Sequence, residues 1–63
     1  MEKYKYLIGM VYKTAEKELK REGMKLRMVV LEEEPLFVTA EYNSKRINVA
    51  VVDDKIIEII NIG

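Results

Sequence analysis

The 63-residue sequence predicts one α+β domain, a single amphipathic helix followed by at least three β-strands. Three observations carry that prediction. Apolar residues at helical spacing occur between Val11 and Glu22. Alternating or β-branched runs occupy Lys25 to Leu31, Arg46 to Val52 and Ile56 to Ile62, while Glu32 to Lys45 fits neither pattern. No repeat, low-complexity tract or second domain interrupts residues 1–63.

In the helical run, Val11, Tyr12, Ala15 and Leu19 share one face, and Lys13, Glu16, Lys17, Lys20 and Arg21 take the rest. Gly23 is placed to stop the helix, and Lys20 with Arg21 suits the negative end of its dipole. Its start is weakly marked, since Gly9, Met10 and Val11 offer no capping side chain. The first strand alternates Leu26, Met28 and Val30 against Lys25, Arg27 and Val29. In the second, Ile47, Val49 and Val51 point one way and Arg46, Asn48 and Ala50 the other. The turn Val52-Asp53-Asp54-Lys55 suits a hairpin into the third strand, whose Glu58 and Asn61 break strict alternation and mark it as an edge. Tyr4, Tyr6 and Tyr12, with Met10, Met24 and Met28, read as core or core-edge residues rather than a ligand box.

Composition excludes several function classes. With 11 Lys plus Arg against 11 Asp plus Glu, no net field favours nucleic acid or an anionic membrane. The absence of Cys removes disulfides, thiol nucleophiles and thiolate metal sites. The absence of His removes the usual base near neutral pH, so an enzyme is not expected, nor is a cofactor. No apolar run approaches a membrane span, and Met1 to Lys5 leads into nothing resembling a secretory signal; the compartment stays open.

The segment Glu32 to Lys45 is long for a domain this small, and such loops are usually functional or disordered. Its length permits the flanking strands to run parallel, which requires a connection of roughly a dozen residues or more. Glu32-Glu33-Glu34 reads as a solvated shoulder of this loop rather than a calcium site. Arg46 and Asn48, opposite the apolar face of their strand, can point together towards the loop.

The chain from Leu7 to Gly63 resembles the potato type I family of serine-peptidase inhibitors. The matching features are Leu7-Ile8-Gly9, Ala15, Val29-Val30-Leu31, Val38-Thr39-Ala40-Glu41-Tyr42, Arg46, and Ile59 to Gly63. Arg46-Ile47-Asn48-Val49 is similar to a related group of small bacterial peptidase inhibitors, which usually hold a disulfide that this chain cannot form. Asn48 stands where the plant inhibitors often carry a second arginine, and Tyr4 where family members often carry a tryptophan.

The resemblance implies one helix packed on a small mixed sheet, with a parallel strand pair joined by a long exposed binding loop. It also implies a reactive-site loop of Phe37, Val38, Thr39, Ala40, Glu41 and Tyr42, with Ala40 and Glu41 flanking the scissile bond. Asn43 would follow on the far side. Arg46 and Asn48 would support the loop, Arg46 by bonding the Glu41 carboxylate and the Thr39 hydroxyl or a loop carbonyl. Small Ala40 and apolar Phe37 suit a subtilisin-like or elastase-like serine peptidase as partner, bound by a monomer. The alternative is a non-inhibitory binding or self-assembly module, or an engineered relative, that keeps the fold and pairs through its edge strand or a swapped loop.

Overall fold

A computed structural model describing residues 2–63 places one α-helix and a short 3₁₀ helix against a four-stranded mixed sheet. The 3₁₀ helix Glu2–Leu7 is followed by α1, Tyr12–Arg21. The strands are β1, Lys25–Leu31; β2, Glu34–Pro35; β3, Arg46–Val52; and β4, Lys55–Ile62. Sheet order is β2-β1-β3-β4, with β1 and β3 parallel and the outer pairs antiparallel. The α+β class and the parallel pair across the long connection are therefore as expected.

The core lies between α1 and one sheet face. Leu7, Ala15, Leu19, Leu26, Ile47, Val49, Val51 and Ile56 form it, with Tyr4, Met10, Tyr12, Met24, Met28, Ile59 and Ile62 packed around them. Tyr6 departs from the expected core-edge position and is exposed. The Tyr12 hydroxyl satisfies itself by donating to the Leu26 carbonyl at 3.1 Å.

Helix α1 ends as the sequence predicts. Gly23 adopts φ +77°, Met24 N–H bonds the Leu19 carbonyl at 2.9 Å, and Gly23 N–H bonds that of Lys20 at 3.1 Å, a Schellman motif. Its start has no side-chain cap; instead the Tyr12 N–H donates to the Asp54 carbonyl at 2.7 Å, so the β3–β4 turn takes the capping role. Gly9 N–H to the Ile56 carbonyl (2.7 Å) and Ile56 N–H to the Met10 carbonyl (2.9 Å) fasten the same chain segment to β4.

Register departs from simple alternation in two strands. Along β3, the partners in β4 run Ile47 to Ile62, Val49 to Ile59 and Val51 to Ile56, with shifts that leave Ile60 and Ile57 as extra residues. The two bulges place every third residue of β4 beside the core-facing side of β3, which is why its sequence does not alternate. In β1 a shift between Met28 and Val30 puts Val30 beside Ala50 and Leu31 beside Val51, so Val30 does not share the face of Leu26 and Met28 as alternation suggested.

Part of the expected loop is structured. Leu31 and Val30 pair with Glu34 and Pro35 around a two-residue turn in which Glu32 and Glu33 have φ of 48° and 68°. Asp53 and Asp54 repeat that conformation at 50° and 66°, both turns having the positive-φ pair of a type I′ hairpin. The Glu32 carboxylate accepts the Asp53 N–H at 2.9 Å, joining the two turns. The acidic shoulder is thus a hairpin, hidden from sequence reading because Glu is a poor left-handed residue. Because a side chain there costs about 1–2 kcal/mol that glycine avoids, we expect Glu33→Gly to raise stability by ~0.5–1 kcal/mol, read as a higher urea midpoint at unchanged slope.

Candidate functional site

Residues 36–45 connect β2 to β3 without regular structure, and residues 36–42 are all exposed. Leu36, Phe37, Val38 and Tyr42 are among the molecule's exposed large hydrophobics, Phe37 fully so. Apolar side chains held in water along one loop serve no core; such a patch is usable for contact with another surface.

The loop is nevertheless tied to the sheet at several points. Its far limb is held by Asn43, whose N–H donates to the Gly63 oxygen at 3.2 Å, whose carbonyl accepts the Arg46 N–H at 3.1 Å, and whose side-chain oxygen accepts the Lys45 N–H at 2.9 Å. The centre is held by two arginines on neighbouring strands. In the parallel register Arg27 of β1 lies beside Asn48 of β3.

Arg46 is rooted at Gly63, whose oxygen accepts from Nε at 3.1 Å and from Nη2 at 2.6 Å. Nη2 also donates to the Glu41 carbonyl at 2.7 Å, and Nη1 reaches the Glu41 carboxylate at 3.3 Å. Arg27 is rooted at Asn48, its Nε donating to Oδ1 at 2.9 Å, and its Nη1 lies 3.2 Å from both the carbonyl and the hydroxyl of Thr39. The Thr39 hydroxyl, accepting there, has its one proton free for the Glu41 carboxylate, which it meets at 2.6 Å. A continuous relay results, from Arg27 through Thr39 to Glu41 and back to Arg46.

The energetic centre of this relay is at its roots. The Glu41 side chain is 62% exposed, so its ion pair is screened by water, while that of Arg46 is only 11% exposed. Planar guanidinium groups whose nitrogens are already fixed by Gly63 and Asn48 lose little freedom on binding the loop. Asn48 is 5% exposed and donates its other bond to Asn61 Oδ1 at 2.8 Å. Among the described residues no buried side-chain nitrogen or oxygen lacks a partner.

Of the residues singled out from sequence, Phe37, Val38, Thr39, Ala40, Glu41 and Tyr42 share this exposed loop, and Arg46 contacts Glu41. Of the two contacts open to Arg46 beyond the Glu41 carboxylate, it makes the one to a loop carbonyl, that of Glu41, and the Thr39 hydroxyl meets Arg27 instead. One detail differs from expectation: Asn48 spends its side chain on Arg27 and Asn61, acting on the loop one step removed. Arg27 was missed because it looks like one polar position of an alternating strand; only the β1–β3 register makes it a neighbour of Asn48.

Among the described residues no cluster of acidic side chains gathers to hold a metal, and no helix is long and apolar enough to cross a membrane. A surface recess of about 260 Å³ lies at the start of α1, lined by Val11, Tyr12, Lys13, Met28, Val51 and Asp54, and shares no residue with the loop. Comparison of the chain with protein-family models, curated proteins and solved structures finds no match.

The Glu41 carboxyl is held below the ordinary glutamate range, first by the Thr39 hydroxyl and then by Arg46. A depressed carboxyl stabilises the clamped loop above its unfolded pKa, and that contribution is lost as pH falls through the folded value. We expect an NMR titration of the Glu41 carboxyl to show this low midpoint, and Thr39→Val to move it upward with the sheet intact. An unchanged midpoint in Thr39→Val would remove the relay.

Proposed function

We propose that this protein is an inhibitor of serine peptidases that offers residues 37–42 as a substrate-like loop, with Ala40 entering the primary specificity pocket. Its target is a subtilisin-like or elastase-like enzyme. The observation that carries this reading is the bracketing of one residue, Ala40: Thr39, before it, is held by Arg27, and Glu41, after it, is held by Arg46. Ala40 itself stays exposed between them.

Such an arrangement has a physical consequence for any enzyme that treats the loop as substrate. The loop meets the cleft already ordered, so little conformational entropy is lost on binding. If the Ala40–Glu41 bond is cut, both new ends remain tied to the same sheet, and the amine stays close enough to re-form the bond. Exposed Phe37 and Val38 on the amino side and Tyr42 on the other supply apolar area for flanking subsites. The order and spacing of Val38-Thr39-Ala40-Glu41-Tyr42 and Arg46, similar to potato type I inhibitors, support the same reading.

The test is titration against a panel of subtilisin-like and elastase-like peptidases. We expect stoichiometric inhibition below micromolar concentration, with slow cleavage after Ala40 detected by mass spectrometry. No inhibition by folded protein at micromolar concentration would overturn the proposal. Since Ala40 is exposed, Ala40→Lys is expected to leave the unfolding midpoint unchanged and to redirect inhibition towards trypsin-like enzymes, whose primary pocket carries an acidic residue.

A further inference from the structure

We infer that Phe37 and the recess at the start of α1 are the two complementary faces of a self-association, Phe37 of one molecule seating in the recess of a second copy of this chain. No peptidase enters this association, so it stands or falls separately from the inhibitory reading.

Phe37 is the projecting face. It is fully exposed, more so than any other large hydrophobic residue among those described, and it stands between exposed Leu36 and Val38. Tyr42, at the other end of the loop, leans on the sheet, its ring 3.6 Å from where a Cβ at Gly63 would stand. A benzyl group held wholly in water is stabilised by any apolar surface it can enter.

The recess is such a surface. Its volume of about 260 Å³ exceeds the roughly 150 Å³ of a cavity that holds benzene. Val11, Tyr12, Met28 and Val51 line it, and a thioether and a second aromatic ring are both favourable neighbours for a phenyl group. The polar groups of Tyr12 are spent internally, the hydroxyl on the Leu26 carbonyl and the N–H on the Asp54 carbonyl, so this lining suits an apolar occupant over a hydrogen-bonding one. Its charged members are Lys13 and Asp54, and among the described residues neither makes an ion pair. The loop brings carboxylates, Glu33 and Glu34 before Phe37 and Glu41 after it. Lys13 thus has a partner in a docked loop, and Asp54 sets its direction by repelling the acidic limb.

The two faces cannot meet within one molecule. Met28 and Val51 lie on the sheet side covered by α1, whereas the loop is held from the other side by Arg27, the neighbour of Met28 on an alternating strand. A molecule whose Phe37 is docked therefore still presents a free recess, and association runs head to tail instead of closing at a dimer. The contact is small. One aromatic residue and its neighbours bury far less than the ~1,200 Å² of a small specific interface, which places the dissociation constant on the order of 0.1–1 mM. In dilute protein the loop is free, and in concentrated protein a neighbour occupies it.

The experiment uses the full chain alone, followed by sedimentation and by NMR of the Met28 methyl group from well below to well above that constant. The average mass is expected to rise with concentration without levelling at the dimer, and the Met28 methyl resonance to move under the ring current of the incoming phenyl group. Phe37→Ala and Val11→Asp are each expected to weaken association about tenfold or more. Both should keep the unfolding midpoint, since Phe37 is fully exposed and Val11 is the residue capping α1, where Asp is among the most favoured. Mixing the two variants is the decisive step. Phe37→Ala retains a recess and Val11→Asp retains a Phe37, so the mixture is expected to form a one-to-one dimer that grows no further, with the Met28 shift confined to the Phe37→Ala partner. A chain that stays monomeric at every concentration, an association that survives either substitution, or a mixture that remains monomeric would each overturn the inference and leave peptidase inhibition untouched.

Discussion

The parallel pairing of β1 with β3 is the constraint on which the remainder of the structure depends. It buries Leu26 beside Ile47 and sets half-buried Met28 beside Val49 over the helix, and on the opposite face it sets Arg27 beside Asn48. A parallel pair cannot be closed by a tight turn, so the chain must spend residues travelling from the end of β1 to the start of β3. The exposed loop is the result. The same register that forces the loop to exist also supplies the first of the side chains that hold it.

The sheet's two faces accordingly do different work. One is apolar and covered by α1; the other carries Arg27, Arg46 and Asn48, which satisfy one another, Asn61, Gly63 and the loop. Burying a polar residue such as Asn48 costs free energy unless its amide is fully used, and here both ends of the amide are bonded. The arginines are then fixed at their inner nitrogens and reach the loop with their outer ones. For a chain without disulfides, this is how an extended, solvent-exposed segment can be kept in one conformation.

Local sequence rules failed where a neighbour supplied what the segment lacked. Helix α1 begins without a capping side chain because the turn at Asp54 provides an acceptor for its first free N–H. The turn at Glu32 and Glu33 has poor residues for positive φ, and the bond from Asp53 N–H to Glu32 gives it support from the adjacent hairpin. Strand β4 breaks alternation because two bulges bring Ile56, Ile59 and Ile62 round to the core side, and bulges also unsuit an edge strand for pairing with another chain. In each case the missing information is non-local.

By itself the sequence determined the α+β class, the positions of α1 and the three longer strands, the core face of β3 and that of α1 apart from Val11, which lies exposed just before the helix, and the placement of Thr39, Ala40, Glu41 and Arg46 on and beside a long connection. These are written in short-range periodicity, in Gly23 and Asp53-Asp54, and in the length between strands, all of which act through contacts a few residues apart. Only the tertiary structure decided that Glu34–Pro35 forms a strand, that β1 and β4 shift register, and that Arg27 is the partner of Thr39. Those features depend on which residues the parallel pairing sets side by side, across 12 residues for Arg27 and Thr39 and 21 for Arg27 and Asn48. At such separations, no periodicity along the chain encodes the neighbour.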